Sequence, residues 1–166
     1  MSAYYGSSAA GGHDGYPHGG TPDWLLNYLK TDEGEMFDPC PNNPTFDGLK
    51  IVWPKSRTVY VNPPFNRINK KNPTGLSSWV EKAFNEYLKG SRIILLMPLY
   101  TCTQYFHEYI ADSADITFIE GRVKFKGYSG GASFPVMLCT FDLEANTGRK
   151  FDTLPKCLRA TYAEAV

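Results

Sequence analysis

Val59-Tyr60-Val61-Asn62-Pro63-Pro64-Phe65 decides how this chain is read, because an apolar strand there runs straight into a nearly rigid turn. Two prolines fix the backbone and remove two N–H donors. The residue before each proline is pushed toward extended geometry, so the Asn62 and Pro63 carbonyls point outward in a set direction. Asn62 adds a side-chain acceptor oxygen, and Phe65 adds a flat apolar face. Asn and Pro are also common turn residues, so the bare Asn-Pro-Pro reads more readily as a device for ending a strand.

The surroundings decide between these readings. Upstream, residues 1–20 are a low-complexity run of Gly, Ser, Ala, Tyr and His without periodicity, read as a flexible tail that carries His13 and His18. Thr21-Pro22 then opens a short helix from Trp24 to Lys30, with Thr21 expected at the N-cap and Pro22 at the first helical position. Phe37-Asp38-Pro39-Cys40-Pro41 is a short apolar entry into a turn, and Asp47 to Trp53 reads as a short strand. Downstream, 66–75 is a polar basic loop and Trp79 to Leu88 an amphipathic helix closed by Lys89-Gly90. Arg92 to Met97 is apolar enough for a strand covered on both faces. A helix over Thr101 to Ala111 and strands over Asp115 to Ile119 and Pro135 to Phe141 complete the pattern.

From residue 58 the order is therefore strand, helix, strand, helix, strand, strand. This predicts an α/β fold, a mainly parallel sheet flanked by helices, with the last two strands as an antiparallel edge hairpin. Ligands of such sheets sit at the carboxyl ends of strands. Asn62-Pro63-Pro64-Phe65 and Pro98-Leu99-Tyr100-Thr101 both fall there, which favours a functional tetrad.

The 166 residues suffice for one domain with a real core, and 42% hydrophobic content with eleven Tyr and ten Phe marks a globular chain rich in flat side chains. The formal net charge is zero, which excludes a broad electrostatic grip on nucleic acid and leaves local basic patches or a partner subunit. Cys40, Cys102, Cys139 and Cys157 show neither C-x-x-C spacing nor a nearby His pair, so no metal site or disulfide framework is expected. An intracellular protein (cytoplasm, nucleus or, for a virus, host cell) is expected, since neither a membrane span nor a signal peptide is evident.

Two fixed acceptors beside a flat face suit an exocyclic amine on an aromatic base. The lone pair of adenine N6 is delocalised into the ring. If the Asn62 side-chain oxygen and the Pro63 carbonyl each accept one N–H, the nitrogen is drawn toward tetrahedral geometry and its lone pair can attack an electrophilic methyl. A base within a duplex must first be flipped out, where Phe65 can stack on it. No strong general base is needed, because the nitrogen becomes acidic as the bond forms; the site contributes orientation and electrostatics.

A wider likeness accompanies the tetrad. Thr21-Pro22, Phe37-Asp38-Pro39-Cys40, Asp47-Gly48-Leu49, Val61-Asn62-Pro63-Pro64-Phe65, Trp79-Val80-Glu81-Lys82-Ala83, Leu95-Leu96-Met97-Pro98, Gly121-Arg122-Val123-Lys124-Phe125 and Ser133-Phe134-Pro135 occur in an order that resembles the phage-type DNA N6-adenine methyltransferase (Dam) family over most of residues 20–142. The resemblance implies a compact Rossmann-like methyltransferase fold using S-adenosylmethionine, with a domain over 21–142 and a C-terminal extension over 143–166. It implies that Asn62, Pro63, Pro64 and Phe65 are the catalytic motif and that Thr21, Pro22, Asp38, Pro39 and Cys40 contact the cofactor, with Asp47 a weaker member of that set. Asn at the first tetrad position implies adenine rather than cytosine. The chain departs from full-size methyltransferases in lacking a G-x-G turn, where it has Asp38-Pro39-Cys40-Pro41.

Arg67, Lys70 and Lys71 follow the tetrad, and Arg122, Lys124 and Lys126 alternate along a predicted edge; both sets are candidates for phosphate contacts. A solvated loop and edge protection are the competing readings. Tyr100, Thr101 and Thr103 are candidates to line a base pocket, with helix capping by Thr101 the alternative. Trp79 is expected in the core, Lys82 on the surface and His107 in a structural role. Cys40 lacks a base at useful spacing, so it is read as packing. Methylation of adenine in RNA, and a non-catalytic nucleic-acid-binding or partner subunit, remain alternatives to the DNA enzyme. A partner subunit or homo-oligomer is compatible with each.

Overall fold

One face of the central sheet is covered by a helix containing Trp79, the other by the helix that follows Thr21, so the apolar residues divide into two cores. The computed structural model describes residues 19–68, 73–144 and 150–163. The expected tail lies outside them up to residue 18, with His13 and His18, as do Lys70 and Lys71. Gly19 and Gly20 belong to the fold, and Gly20 pairs antiparallel with Lys126.

The elements are α1 (Asp23–Glu33), β1 (Val59–Val61), α2 (Leu76–Leu88), β2 (Ile93–Pro98), a π-helical turn (Phe106–Ile110), β3 (Asp115–Ile119), β4 (Val136–Phe141), β5 (Phe151–Leu154) and α3 (Leu158–Ala163). The sheet order is β1-β2-β4-β3-β5. β1 runs parallel to β2 and β3 parallel to β5, while β4 is antiparallel to both β2 and β3.

The sheet is thus mixed, and the expected edge hairpin is corrected. β3 and β4 do pair antiparallel, but β4 lies inside the sheet rather than at its rim. Val136-Met137-Leu138-Cys139-Thr140-Phe141 is apolar on both faces, and all but Thr140 are buried, the signature of an interior strand. The edge beyond β3 is taken by β5, which the sequence pattern did not show; of its four residues only Leu154 is buried.

Three further expectations change. Asp47 to Trp53 is a turn and not a strand. The Asp47 carboxylate accepts the Leu49 N–H at 3.1 Å, and the Asp47 carbonyl accepts the N–H groups of Lys50 and Ile51. Thr21 does not cap α1. Pro22 holds the N-cap position without a side-chain cap, and the Thr21 hydroxyl is spent elsewhere. Thr101 to Ala111 does not form a regular helix. Its β-branched and aromatic residues are weak helix formers, Thr103 Oγ1 donates to the Tyr100 carbonyl at 2.8 Å, and the chain widens so that the Ala111 N–H reaches Phe106 O.

One core contains Trp53, Trp79, Val80, Ala83, Ile93, Leu95, Met97, Ile110 and Phe141. The other contains Leu25, Leu29, Tyr60, Ile94, Leu96, Val123, Phe125, Leu138 and Leu154. Trp79 is in the core as expected. Lys82 is not a surface residue: its ammonium donates to Ile51 O and to Glu86 Oε1, both at 2.8 Å, and lies over the Trp53 ring. Glu86 is itself only 1% exposed and also accepts from the Trp53 N–H at 3.2 Å and Lys89 at 2.9 Å. At the opposite rim from the tetrad, Arg92 grips both oxygens of Glu33 (2.6 and 2.9 Å) and pairs with Asp142. The C-terminal residues join the second layer, where Asn27 Nδ2 donates to Tyr162 O at 2.9 Å and Tyr28 meets the Tyr162 ring edge-on.

Candidate functional site

Phe37 makes a single parallel bridge to Val59 on the free side of β1. Its N–H donates to Thr58 O and its carbonyl accepts from Tyr60 N, both at 2.9 Å. Two chains therefore leave the sheet side by side in the same direction. Asp38-Pro39-Cys40 continues one, and Asn62-Pro63-Pro64-Phe65 continues the other. A turn at the carboxyl end of parallel segments is where ligands collect in α/β sheets.

A cavity of about 350 Å³ lies between these two turns and the start of α1. That volume falls within the roughly 300–1,000 Å³ typical of small-molecule sites. Thr21, Asp38, Cys40, Asn42, Tyr60 and Asn62 line it, and Gly20, Leu26, Lys30, Glu35, Met36 and Lys126 complete the wall. Of the residues expected to meet a cofactor, Thr21, Asp38 and Cys40 are thus brought together. Pro22 is not in the wall; its carbonyl accepts the Leu25 and Leu26 N–H groups. Pro39 is buried and also outside the wall. Asp47 is not in the wall either; it is exposed and ion-paired to Lys50 at 2.9 Å, which with the Leu49 N–H holds its carboxyl below the usual range.

The Asp38-Pro39-Cys40 turn is held against the turn at Asp47 by Gly48. A Cβ at that position would stand 1.9 Å from the Pro39 carbonyl oxygen, so no larger residue fits. The Gly48 carbonyl in turn accepts the Trp53 indole N–H at 2.8 Å. Asp38 accepts the Cys40 N–H at 2.8 Å. Although Asp38 is exposed by surface area, its recessed position removes enough water to raise its pKa, against the lowering effect of that N–H. Burial, helped by the Asp38 charge, pushes the Cys40 thiol up to about 12, so Cys40 is a neutral packing group here. Tyr60 shares a 2.8 Å hydrogen bond with Thr21, and burial raises its hydroxyl pKa as well.

Asn62 is 5% exposed. Its Nδ2 donates to Gly19 O at 2.9 Å, while its Oδ1 is buried with no protein partner. Buried acceptors are nearly always satisfied, so an orphan on a cavity wall is suited to a donor from a ligand. Asn42 Oδ1 on the same wall is also without a partner. Next to Asn62, Pro63 is buried and Phe65 half-buried. Phe65 meets Phe125 and Phe134 edge-to-face, each with ring centroids 5.8 Å away, and Tyr100 lies 6.1 Å from Phe134. The aromatic patch thus comes from separate segments of the chain. Thr101 and Thr103 are outside the cavity wall, as is Tyr100.

Arg67 is exposed just beyond Phe65. Arg122 and Lys124 are exposed while Val123 and Phe125 are buried, so the alternation expected there is real although the segment is not a strand. Lys126 departs from that stripe: it is half-buried, ion-paired to Asp23, and part of the cavity wall. The sequence reading missed Lys30, Glu35, Asn42 and Tyr60 as wall residues, together with the Gly19 carbonyl. Only Tyr60 carried a usable signal, as the strand residue two places before Asn62.

Among the described residues no helix is long and apolar enough to cross a membrane. The family model for DNA N-6-adenine-methyltransferase (Dam) matches residues 40–160. Comparison with curated proteins finds no match. Comparison with solved structures finds none either.

Proposed function

The chain belongs to the Dam family of DNA N-6-adenine methyltransferases and transfers a methyl group to the N6 amino group of adenine in DNA, and from that premise we propose which residues carry the reaction. The family implies S-adenosylmethionine as methyl donor. The cavity fits such a group: it offers the Asp38 carboxylate for a cationic or hydroxyl-bearing ligand and apolar walls from Leu26 and Met36. S-adenosylmethionine, when bound, supplies a methyl group made electrophilic by a sulfonium. Asp38, Thr21 and Cys40 are the proposed cofactor contacts, with Pro22 and Pro39 shaping the turns behind them.

Asn62 Oδ1 accepts one N6 hydrogen of the target adenine and the Pro63 carbonyl accepts the other. Both acceptors are fixed before the substrate arrives, so no reorganisation is needed as charge develops on nitrogen. Pro64 holds the direction of the Pro63 carbonyl. Phe65, braced by Phe125 and Phe134, supports the flipped base. Arg67, Arg122 and Lys124 contact flanking phosphates and compensate locally for a chain of zero net charge. The observation that carries this reading is the Asn62 amide, whose nitrogen is satisfied while its buried oxygen is not.

The finer fold reading, a compact Rossmann-like methyltransferase, is supported by the common direction of β1, β2, β3 and β5 with β4 alone reversed between β2 and β3. On this reading residues 21–142 form the methyltransferase domain and 143–166 an extension, whose described residues 150–163 add β5 to the sheet and set α3 against α1, acting where cellular DNA is found. The test is incubation with methyl-labelled cofactor and DNA, followed by digestion to nucleosides. Label in N6-methyldeoxyadenosine is expected; label in cytosine, or in neither base, overturns the assignment.

A further inference from the structure

The Asn62 amide is set by a residue that precedes the family-matched segment. A primary amide can be turned over by half a rotation, and its neighbours decide which end is oxygen. Gly19 O is a pure acceptor, so it requires the NH₂ end and leaves Oδ1 facing away, as found. Gly19 is itself immobilised. Its φ of +83° suits glycine, and a Cβ there would come within 3.0 Å of Tyr128 and 3.1 Å of Phe125. The next residue, Gly20, exchanges both backbone hydrogen bonds with Lys126 (3.2 and 2.7 Å), and Lys126 pairs with Asp23. Residues 19–20 thus form a strap pinned from two sides.

We propose that Gly19 is a positioning residue: its main-chain carbonyl fixes the Asn62 amide so that Oδ1, and not the NH₂ group, meets the substrate amine. The inference rests on the reading of Asn62 as the acceptor of the N6 hydrogens. Without the strap the two amide orientations become comparable in energy, and the flipped one presents donors to a donor.

Asn62→Asp separates this role from a merely structural one. Once ionised, the introduced carboxylate would place an oxygen against Gly19 O, whereas its protonated form donates to Gly19 and keeps an acceptor for the amine. The ionisable groups around the cavity are Lys30 on α1, Glu35, Asp38 and Cys40 after it, Tyr60 on β1 and Lys126. Their background is removed by dividing the variant's kcat at each pH by that of the wild-type protein. The expected ratio falls roughly tenfold per pH unit above the pKa of the introduced carboxyl group. A ratio that is flat or rises with pH overturns the proposal, because the charged carboxylate would then serve as the better acceptor. A second measurement needs neither turnover nor a folded variant. In the wild-type protein carrying ¹⁵N-asparagine and ¹³C-glycine, a through-hydrogen-bond NMR coupling from Asn62 Nδ2 to the Gly19 carbonyl is expected, and its absence overturns the proposal. Wild-type protein that transfers no methyl while keeping this coupling would defeat the catalytic reading and leave the strap contact standing.

Discussion

The Trp53 backbone N–H donates to the Glu86 carboxylate at 3.2 Å, which ties the loop before β1 to the buried face of α2. Lys82 and Lys89 complete the shell, so a carboxylate that is 1% exposed carries two cationic partners. Burial pushes the Glu86 pKa up, but hydrogen bonds from Lys82, Lys89 and Trp53 outweigh it and the net direction is down. A lowered folded-state pKa means stability that is fully present above the unfolded value of about 4.3 and lost as pH falls through the folded value. Urea unfolding midpoints should accordingly drop in acid, and Glu86→Ala should remove its share of that acid limb, the rest belonging to Glu33 and Asp47, whose carboxyls are also held low by their partners. The same substitution leaves a half-buried ammonium and an unpaired N–H, for a loss of about 3–5 kcal/mol at neutral pH. An unchanged urea midpoint in Glu86→Ala would show that the shell contributes nothing.

Asn62→Ala should reduce kcat by about 10²–10³ or more, the usual cost of deleting one fixed polar group aimed at developing charge. Cofactor affinity, read by calorimetry, should stay within a few-fold, because the proposed cofactor contacts, Thr21, Asp38 and Cys40, lie on other segments. Loss of both together would place Asn62 in the cofactor site instead.

Asp38→Asn should separate stability from binding. A raised carboxylate pKa marks an ionised form that is costlier in the folded protein than in the unfolded chain. Removing the charge should leave the melting temperature equal or higher at neutral pH. Cofactor affinity should fall by roughly 10–100-fold, as for loss of a hydrogen bond to a charged group. In the wild-type protein, affinity should decline as pH falls through this raised pKa, beginning at a higher pH than an ordinary carboxylate would give. Calorimetric titrations from about pH 4 to about pH 8 check both statements.

Gly48→Ala tests the contact between the two loops. With only 1.9 Å to the Pro39 oxygen, a methyl group must push the Asp38-Pro39-Cys40 turn away from its place. The expected cost is about 1–3 kcal/mol of stability, together with weaker cofactor binding. Thermal melts that match wild type would mean the turn yields freely.

Phe65→Tyr should keep the stacking face and stay close to wild type, whereas Phe65→Ala should raise KM for DNA by roughly 10-fold or more, given about 1–3 kcal/mol for stacking on one base. Steady-state kinetics on a short duplex distinguishes the two. Equal KM values would remove the ring from substrate contact.

The strand-to-tetrad junction was legible in the sequence because two prolines and a pre-proline asparagine leave little conformational choice. The interior position of β4 was not, since β3 and β4 are consecutive and sequence order favours an edge hairpin; the clue was that β4 has no polar face. Asp47 looked like a site residue because it sits in a short motif, yet its carboxylate is consumed by its own turn. Lys82 looked like surface because lysine usually is, and only the fold reveals Glu86 beneath it. The Gly19 carbonyl could not be read at all: a backbone oxygen has no letter, and its partner is far along the chain.

The reversed strand bears on how the molecule comes into being. β2 and β3 are not neighbours in the sheet; both wait for residues 136–141, and Lys126 must also be made before Gly20 has its mate. Contacts of such long sequence separation form late, after the entropy of a large loop has been overcome. A nascent polypeptide therefore cannot complete the sheet around its tetrad, or seat Gly20 against Lys126, until residues 126–141 have been made.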